Sequence, residues 1–192
     1  LLADGIRGSL ATAVIKKDSQ LRWEPRGEDI WGSGFTGVIG VADLADTFRQ
    51  FGLEPAARRN TGEFDINVNW LGAPSTVGLQ KLAGDVQIRL EDGSFLPVSS
   101  RATGAVRLFS LLNLAGLLQR ANVTQLFEPG VAFSLAEGDL SFASGTLAIP
   151  KFSIDGPGGG FSFSSNVDLV NEIIDGELTV TLPLVDNIPW VA

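Results

Sequence analysis

From Gly62 to Trp70 the chain alternates apolar and polar side chains without a break. Phe64, Ile66, Val68 and Trp70 fall on one side, and Glu63, Asp65, Asn67 and Asn69 on the other. A period of two belongs to a β-strand whose faces meet different surroundings. The pattern returns at Leu82, Gly84, Val86, Ile88 and Leu90, with Asp85, Gln87 and Arg89 opposite, and again from Glu177 to Leu182. Ser9 to Lys17, Gln20 to Pro25 and Glu28 to Gly40 also read as strands, the first two joined by a hairpin turn at Asp18-Ser19. In the third, Gly32, Gly34 and Gly37 mark bulges or close backbone approaches. Glu91-Asp92-Gly93-Ser94 has hairpin-turn chemistry and predicts a return through Phe95, Leu96 and Val98. Farther on, Val131, Phe133 and Leu135 share one predicted face. Leu140 and Phe142, Leu147 and Ile149, Phe152 and Ile154 follow, and Phe161, Phe163, Val167 and Leu169 come after a turn over Gly156 to Gly160.

Two segments depart from this period. Ala42 to Phe51 places Leu44, Phe48 and Phe51 on one helical face, with Asp43 and Asp46 early and Arg49 late, as the helix dipole favours. Ala105 to Arg120 carries Leu108, Phe109, Leu111, Leu112, Leu114, Leu117 and Leu118 around most of its circumference. A helix apolar nearly all round is buried or lies against lipid. At ~1.5 Å per residue it is too short to span a bilayer comfortably. Asn122 to Phe127 adds a short helical turn. The expected fold is therefore mainly β with two or three helices.

Composition narrows the chemistry. The net charge of −8 argues against nucleic acid as a partner, because that contact needs a basic stripe. There is no Cys and no His, which removes Cys/His zinc sites, thiol nucleophiles and Ser-His-Asp triads. The carboxylate pairs Glu28/Asp29, Glu91/Asp92, Glu137/Asp139 and Glu172/Asp175 sit beside turns, where acidic residues are ordinarily solvated. The Gly156 to Gly160 run lacks the Lys-Ser/Thr and the helix of a phosphate loop. No enzyme activity, catalytic residue, cofactor or metal is expected. Among the Trp residues, Trp70 belongs to a core or a groove, Trp23 and Trp31 to packing beside a bend, and Trp190 to an interface. The chain begins Leu1-Leu2-Ala3 and contains no Met, so it reads as one fragment, residues 1–192, of a longer protein whose membrane anchor lies elsewhere.

An ordered series of segments then resembles a known family. It runs through Trp70-Leu71-Gly72-Ala73-Pro74, Leu79-Gln80-Lys81-Leu82-Ala83-Gly84 and Asp92-Gly93-Ser94-Phe95-Leu96. It continues with Gly104 to Leu114, Gln125 to Phe133, Gly145-Thr146-Leu147, Asp155-Gly156-Pro157, Val167-Asp168-Leu169 and Val180-Thr181-Leu182-Pro183. This series resembles the C-terminal region of the YhdP-type AsmA-like proteins of Gram-negative bacteria, from about Phe35 onward. The resemblance implies a periplasmic protein anchored in the inner membrane outside this fragment. It also implies a curved, largely antiparallel sheet forming an open, taco-like half-barrel, a groove with an apolar helix at or near its end. Residues 1–61 would form an N-terminal sheet segment carrying the amphipathic helix 42–51, and residues 62–192 the AsmA-like region with helix 105–120.

In that family such a groove implies carriage of phospholipid between the inner and outer membranes. The implied lining is Phe64, Ile66, Val68, Trp70, Val86, Ile88, Leu90, Phe133, Leu135, Phe161, Phe163, Leu178, Val180 and Leu182. Leu108, Leu111, Leu112, Leu114, Leu117 and Leu118 would form a gate or membrane-contact helix. Alternation alone points the other way, since strands of this kind ordinarily bury their apolar face in a sandwich core. The alternative function is therefore a closed β structural or assembly module docking on an outer-membrane or periplasmic partner, through strand addition at an open edge.

Overall fold

The computed structural model describes residues 1–10, 12–50, 55, 57–58, 61–95 and 131–181. The predicted helix 105–120 with its leucines 108, 111, 112, 114, 117 and 118, together with Phe51, Leu182 and Trp190, lies outside those residues. In chain order the strands are β1 (Leu2–Leu10), β2 (Ala13–Gly27), β3 (Ile30–Val41), β4 (Ala57–Arg58), β5 (Thr61–Leu71), β6 (Ala83–Phe95), β7 (Val131–Ala143), β8 (Thr146–Gly156), β9 (Gly159–Asp168) and β10 (Ile173–Thr181). One helix, α1 (Leu44–Gln50), follows β3, and two short 3-10 turns, Pro74–Thr76 and Leu79–Lys81, separate β5 from β6.

All ten strands join one antiparallel sheet in the order β1-β2-β3-β5-β6-β7-β8-β9-β10, with β4 pairing β6 off this path. Among the described residues β1 and β10 do not pair with each other, so the sheet is open and not a closed barrel. This is the mainly β architecture that the alternation predicts and the largely antiparallel sheet that the resemblance implies.

The register lines the apolar positions up across strands. Phe35, Val68, Gly84, Phe142, Leu147, Val167 and Ile174 are successive cross-strand partners from β3 to β10. Ile39, Phe64, Ile88, Gly138, Phe152, Phe163 and Leu178 form a second such row, and Val41, Gly62, Leu90, Ala136, Ile154, Phe161 and Val180 a third. Directly opposed side chains are the unit of sheet stabilisation, so these rows tie seven strands to one apolar face. A slip by one residue would turn a whole strand's apolar set to solvent, and that penalty fixes the register.

Two predicted turns are corrected. Asp18-Ser19 is not a hairpin turn. The chain reverses instead between Leu10 and Ala13, which are cross-strand partners. Asp18 adopts φ 73° inside β2, where the register shifts between Ile15 and Gln20. Ser19 is fully buried there and its Oγ donates to the Lys16 carbonyl at 2.9 Å. The bulge fits because Gly37 opposes it: a Cβ on Gly37 would stand 2.1 Å from Ser19 Oγ. Glu91-Asp92-Gly93-Ser94 is likewise no turn, for β6 runs through it to Phe95. A type I′ turn needs positive φ at both central residues. Only Asp92 has it (φ 51°), so Gly93 stays in the ladder opposite Phe133.

Among the described residues helix α1 starts at Leu44, two residues after the start of the predicted 42–51. Asp43 caps it, its Oδ1 accepting from the Asp46 N–H at 2.9 Å, and Arg49 pairs with Asp46. Leu44 and Phe48 turn inward and join the sheet's core cluster. Asp43→Ala is expected to lower stability by about 1 kcal/mol, the usual worth of an N-cap. Urea denaturation followed by Trp fluorescence would measure it.

Candidate functional site: an apolar groove

A single sheet provides only one wall. An enclosed space above it comes from the sheet's curl and from whatever crosses its rim. The apolar face here holds a cavity of about 330 Å³ lined by Phe35, Phe64, Ile66, Val68, Trp70, Val77, Leu79, Leu82, Val86, Ile88, Leu140, Phe142, Leu147, Ile149 and Phe152. Every one of these side chains is apolar. They come from β3, β5, β6, β7 and β8 and from the segment linking β5 to β6. At ~4.8 Å per strand spacing, that is ~19 Å of sheet measured along its pairing direction.

The linking segment, residues 72–82, forms a strap over one end of the strands. The Trp70 indole N–H donates to the Ala73 carbonyl at 3.1 Å, and Ser33 Oγ donates to Gly72 O at 2.8 Å. Farther along, Gln80 Nε2 donates to the Leu169 carbonyl at 2.8 Å, and the Ser144 N–H donates to Leu82 O at 2.9 Å. The strap is thus bonded to β3, to the β7–β8 turn and to the end of β9. It brings Val77, Leu79 and Leu82 over the cavity.

The opposite face is polar. Glu63, Asp65, Asn67, Gln87, Arg89, Glu137 and Asp139 are exposed. Lys16 pairs with Glu63, while Arg89 reaches Glu137 at 2.7 Å and Glu91 at 3.0 Å. These ion pairs are about half exposed, so each contributes at most ~1 kcal/mol and serves mainly to keep this face wet. Among the described residues no group of His, Cys, Asp or Glu could hold a metal ion.

Of the lining expected from the sequence, Phe64, Ile66, Val68, Trp70, Val86 and Ile88 meet in the cavity. Leu90, Phe133, Phe161 and Phe163 do not line it, although they belong to the same buried cluster as Val68, Trp70 and Ile88; Phe133 packs on Phe95 with ring centroids 4.7 Å apart, and Phe163 stacks on Phe152 at 5.3 Å. Leu178 and Val180 are half-buried on the edge strand β10. Phe133 and Leu135 do not share the predicted face. Phe133 and Ala136 are both buried, so the alternation changes phase between them. Leu135 stands opposite the exposed Glu91 and Asp155.

The cavity also takes residues that the sequence did not single out as lining. Phe35, Leu140, Phe142, Leu147, Ile149 and Phe152 lie on recognisable strands, but only the register shows that they face Val68 and Val86 across the groove. Val77 and Leu79 lie in the strap, outside any alternating run, and carry no periodic signal.

At the strap end, the β9–β10 turn is held by Asp168. The backbone N–H and side-chain amide of Asn171 and the backbone N–H of Val170 all donate to its carboxylate, which holds its pKa below the ordinary aspartate value. A lowered folded-state pKa means the contribution is in place above the unfolded value and is lost as pH falls through the lowered one. The Val170 and Asn171 amide resonances should therefore titrate with a midpoint below that of a free aspartate. Asp168→Asn should abolish that titration.

Among the described residues no helix is long and apolar enough to cross a membrane. The family model described as YhdP protein matches residues 16–192 of the chain. Neither the curated proteins nor the solved structures contain a match.

Proposed function

The chain belongs to the YhdP family of AsmA-like cell-envelope proteins, and on that premise we propose that it carries phospholipid acyl chains along the apolar face of its sheet. The path would run through the periplasm between the inner and outer membranes, with no catalysed reaction. The observation that carries this reading is the wholly apolar cavity over an open, one-sided sheet.

The chemistry of the walls favours an apolar occupant, because the groove is partly open and solvent entering it meets no polar side chain. Water is a poor filler, because it needs polar partners that these walls do not offer. An acyl chain suits the site: each buried CH₂ contributes about 0.8 kcal/mol and asks for no hydrogen bond. Because the walls are chemically uniform, that energy changes little as the chain slides. A phospholipid headgroup can remain outside in water.

Native mass spectrometry of the purified full chain tests this. Phospholipid should be retained, or taken up from vesicles on incubation. A chain that neither retains nor takes up lipid would favour the alternative module, docking on a protein partner along the edge of β10, which pairs only with β9 among the described residues.

A further inference from the structure

The exposed large apolar side chains collect at one end of the strands. Ile30 and Trp31 begin β3, Leu71 ends β5, Val77 sits in the strap, and Val170 and Ile173 flank the β9–β10 turn. Their exposures are 51%, 45%, 65%, 56%, 63% and 62%. The ladder puts all of them on the same rim: Gly32 pairs with Leu71, Asn69 with Ala83, Ala83 with Ala143, Thr146 with Asp168, and Asp168 with Ile173. Among the described residues, the opposite rim contributes Val14.

Hydrogen bonds join these tips into one ridge. The Gly72 N–H donates to the Trp31 carbonyl at 2.7 Å, the strap is bonded to Leu169 through Gln80, and the Leu169 N–H donates to Gly145 O at 2.8 Å. Val77 is both exposed on this ridge and part of the cavity wall. The groove therefore reaches the apolar rim at the strap.

We propose that this rim rests on a lipid bilayer, with the apolar tips inserted at the interface and the groove mouth beside Val77 opening onto lipid. The inference builds on the carriage reading and names its membrane-facing surface. A bilayer fits better than a protein partner for two reasons. The tips are dispersed over turns from β3 to β10, which a fluid surface accommodates and a fixed complementary surface does not. The apolar groove also emerges among them, so a bilayer gives continuous apolar contact from membrane to cavity. The docking is apolar and not electrostatic. Glu28, Asp29 and Glu172 lie at the rim turns, Arg26 is paired with Glu24, and Lys81 is the one basic residue of the strap, so no basic cluster is present among the described residues to hold anionic headgroups.

The chain has no Cys, so single-cysteine variants of the full chain can each carry one polarity-sensitive dye. With neutral phosphatidylcholine vesicles, dyes at Leu71, Val77 and Val170 should shift to the blue at low and high salt alike. Dyes at Val14 and at Asp139 on the polar face should not respond. The double variant L71D/V170D should bind the vesicles at least about tenfold more weakly, as expected for charges placed at an apolar interface, yet keep its retained phospholipid. Silent rim dyes, equal shifts at every site, or a response lost at high salt would each overturn the docking. A lipid-loaded groove with silent rim dyes removes this inference alone. An inserted rim on a chain that never holds lipid removes the carriage reading and leaves the docking.

Discussion

Gly84→Ala is expected to disrupt the centre of the sheet, lowering stability by roughly 2–6 kcal/mol from backbone strain and overpacking together. Gly84 sits between Val68 and Phe142 in the first apolar row, at φ 123°. L side chains rarely adopt that conformation. A Cβ there would also stand 2.2 Å from the Asn67 carbonyl oxygen and 3.0 Å from Val68 Cα. Backbone cannot swing aside as a flexible side chain could, so β5 and β6 must separate or slip. Gly78→Ala is the control, because Gly78 has φ −165° and nothing within 4 Å of an added Cβ. It should change stability by no more than about 0.5 kcal/mol. Urea denaturation of the two variants, followed by Trp fluorescence, would show the contrast.

Val86→Asp should remove lipid from a chain that remains folded. Val86 is half-buried on the cavity floor, between Ile66 and Leu140. A carboxylate there finds only apolar walls. Because the site is partly open, its charge can draw in water, and the expected loss of stability is ~1–3 kcal/mol. The same water breaks the continuous apolar path, so retained phospholipid should fall at least about tenfold, the equivalent of ~1.4 kcal/mol. Gln87→Asp, one residue on and facing solvent, should leave lipid retention unchanged. Mass spectrometry of lipid per chain, alongside circular dichroism, separates lost binding from lost fold.

The sheet was legible in the sequence wherever one face is wet and the other dry. Phe64 to Trp70 and Val86 to Ile88 alternate cleanly, and their side chains do meet in the cavity. What sequence could not place is which stretch of the apolar face holds the cavity. Phe152 and Phe163 are neighbours in one row and look alike along the chain, yet Phe152 lines the cavity while Phe163, stacked beside it on the same face, does not. That placement depends on the sheet's curl and on partners far away in sequence. Turn chemistry misled twice for a local reason. Asp18 and Asp92 do take positive φ, but each stands alone in it, and a lone left-handed residue bends or bulges a strand without reversing it. The strap was opaque because Val77 and Leu79 follow no period; long-range bonds such as Gln80 to Leu169 hold them over the groove.

The apolar face either touches lipid or it does not, and Ile66 and Asn67 are adjacent residues on opposite faces. A photo-cross-linking amino acid placed at each, in the full-length protein within living cells, reads the difference directly. Phospholipid adducts at 66 and none at 67 are the predicted result. Adducts to protein alone at 66, or equal lipid capture at both positions, would contradict carriage along the groove.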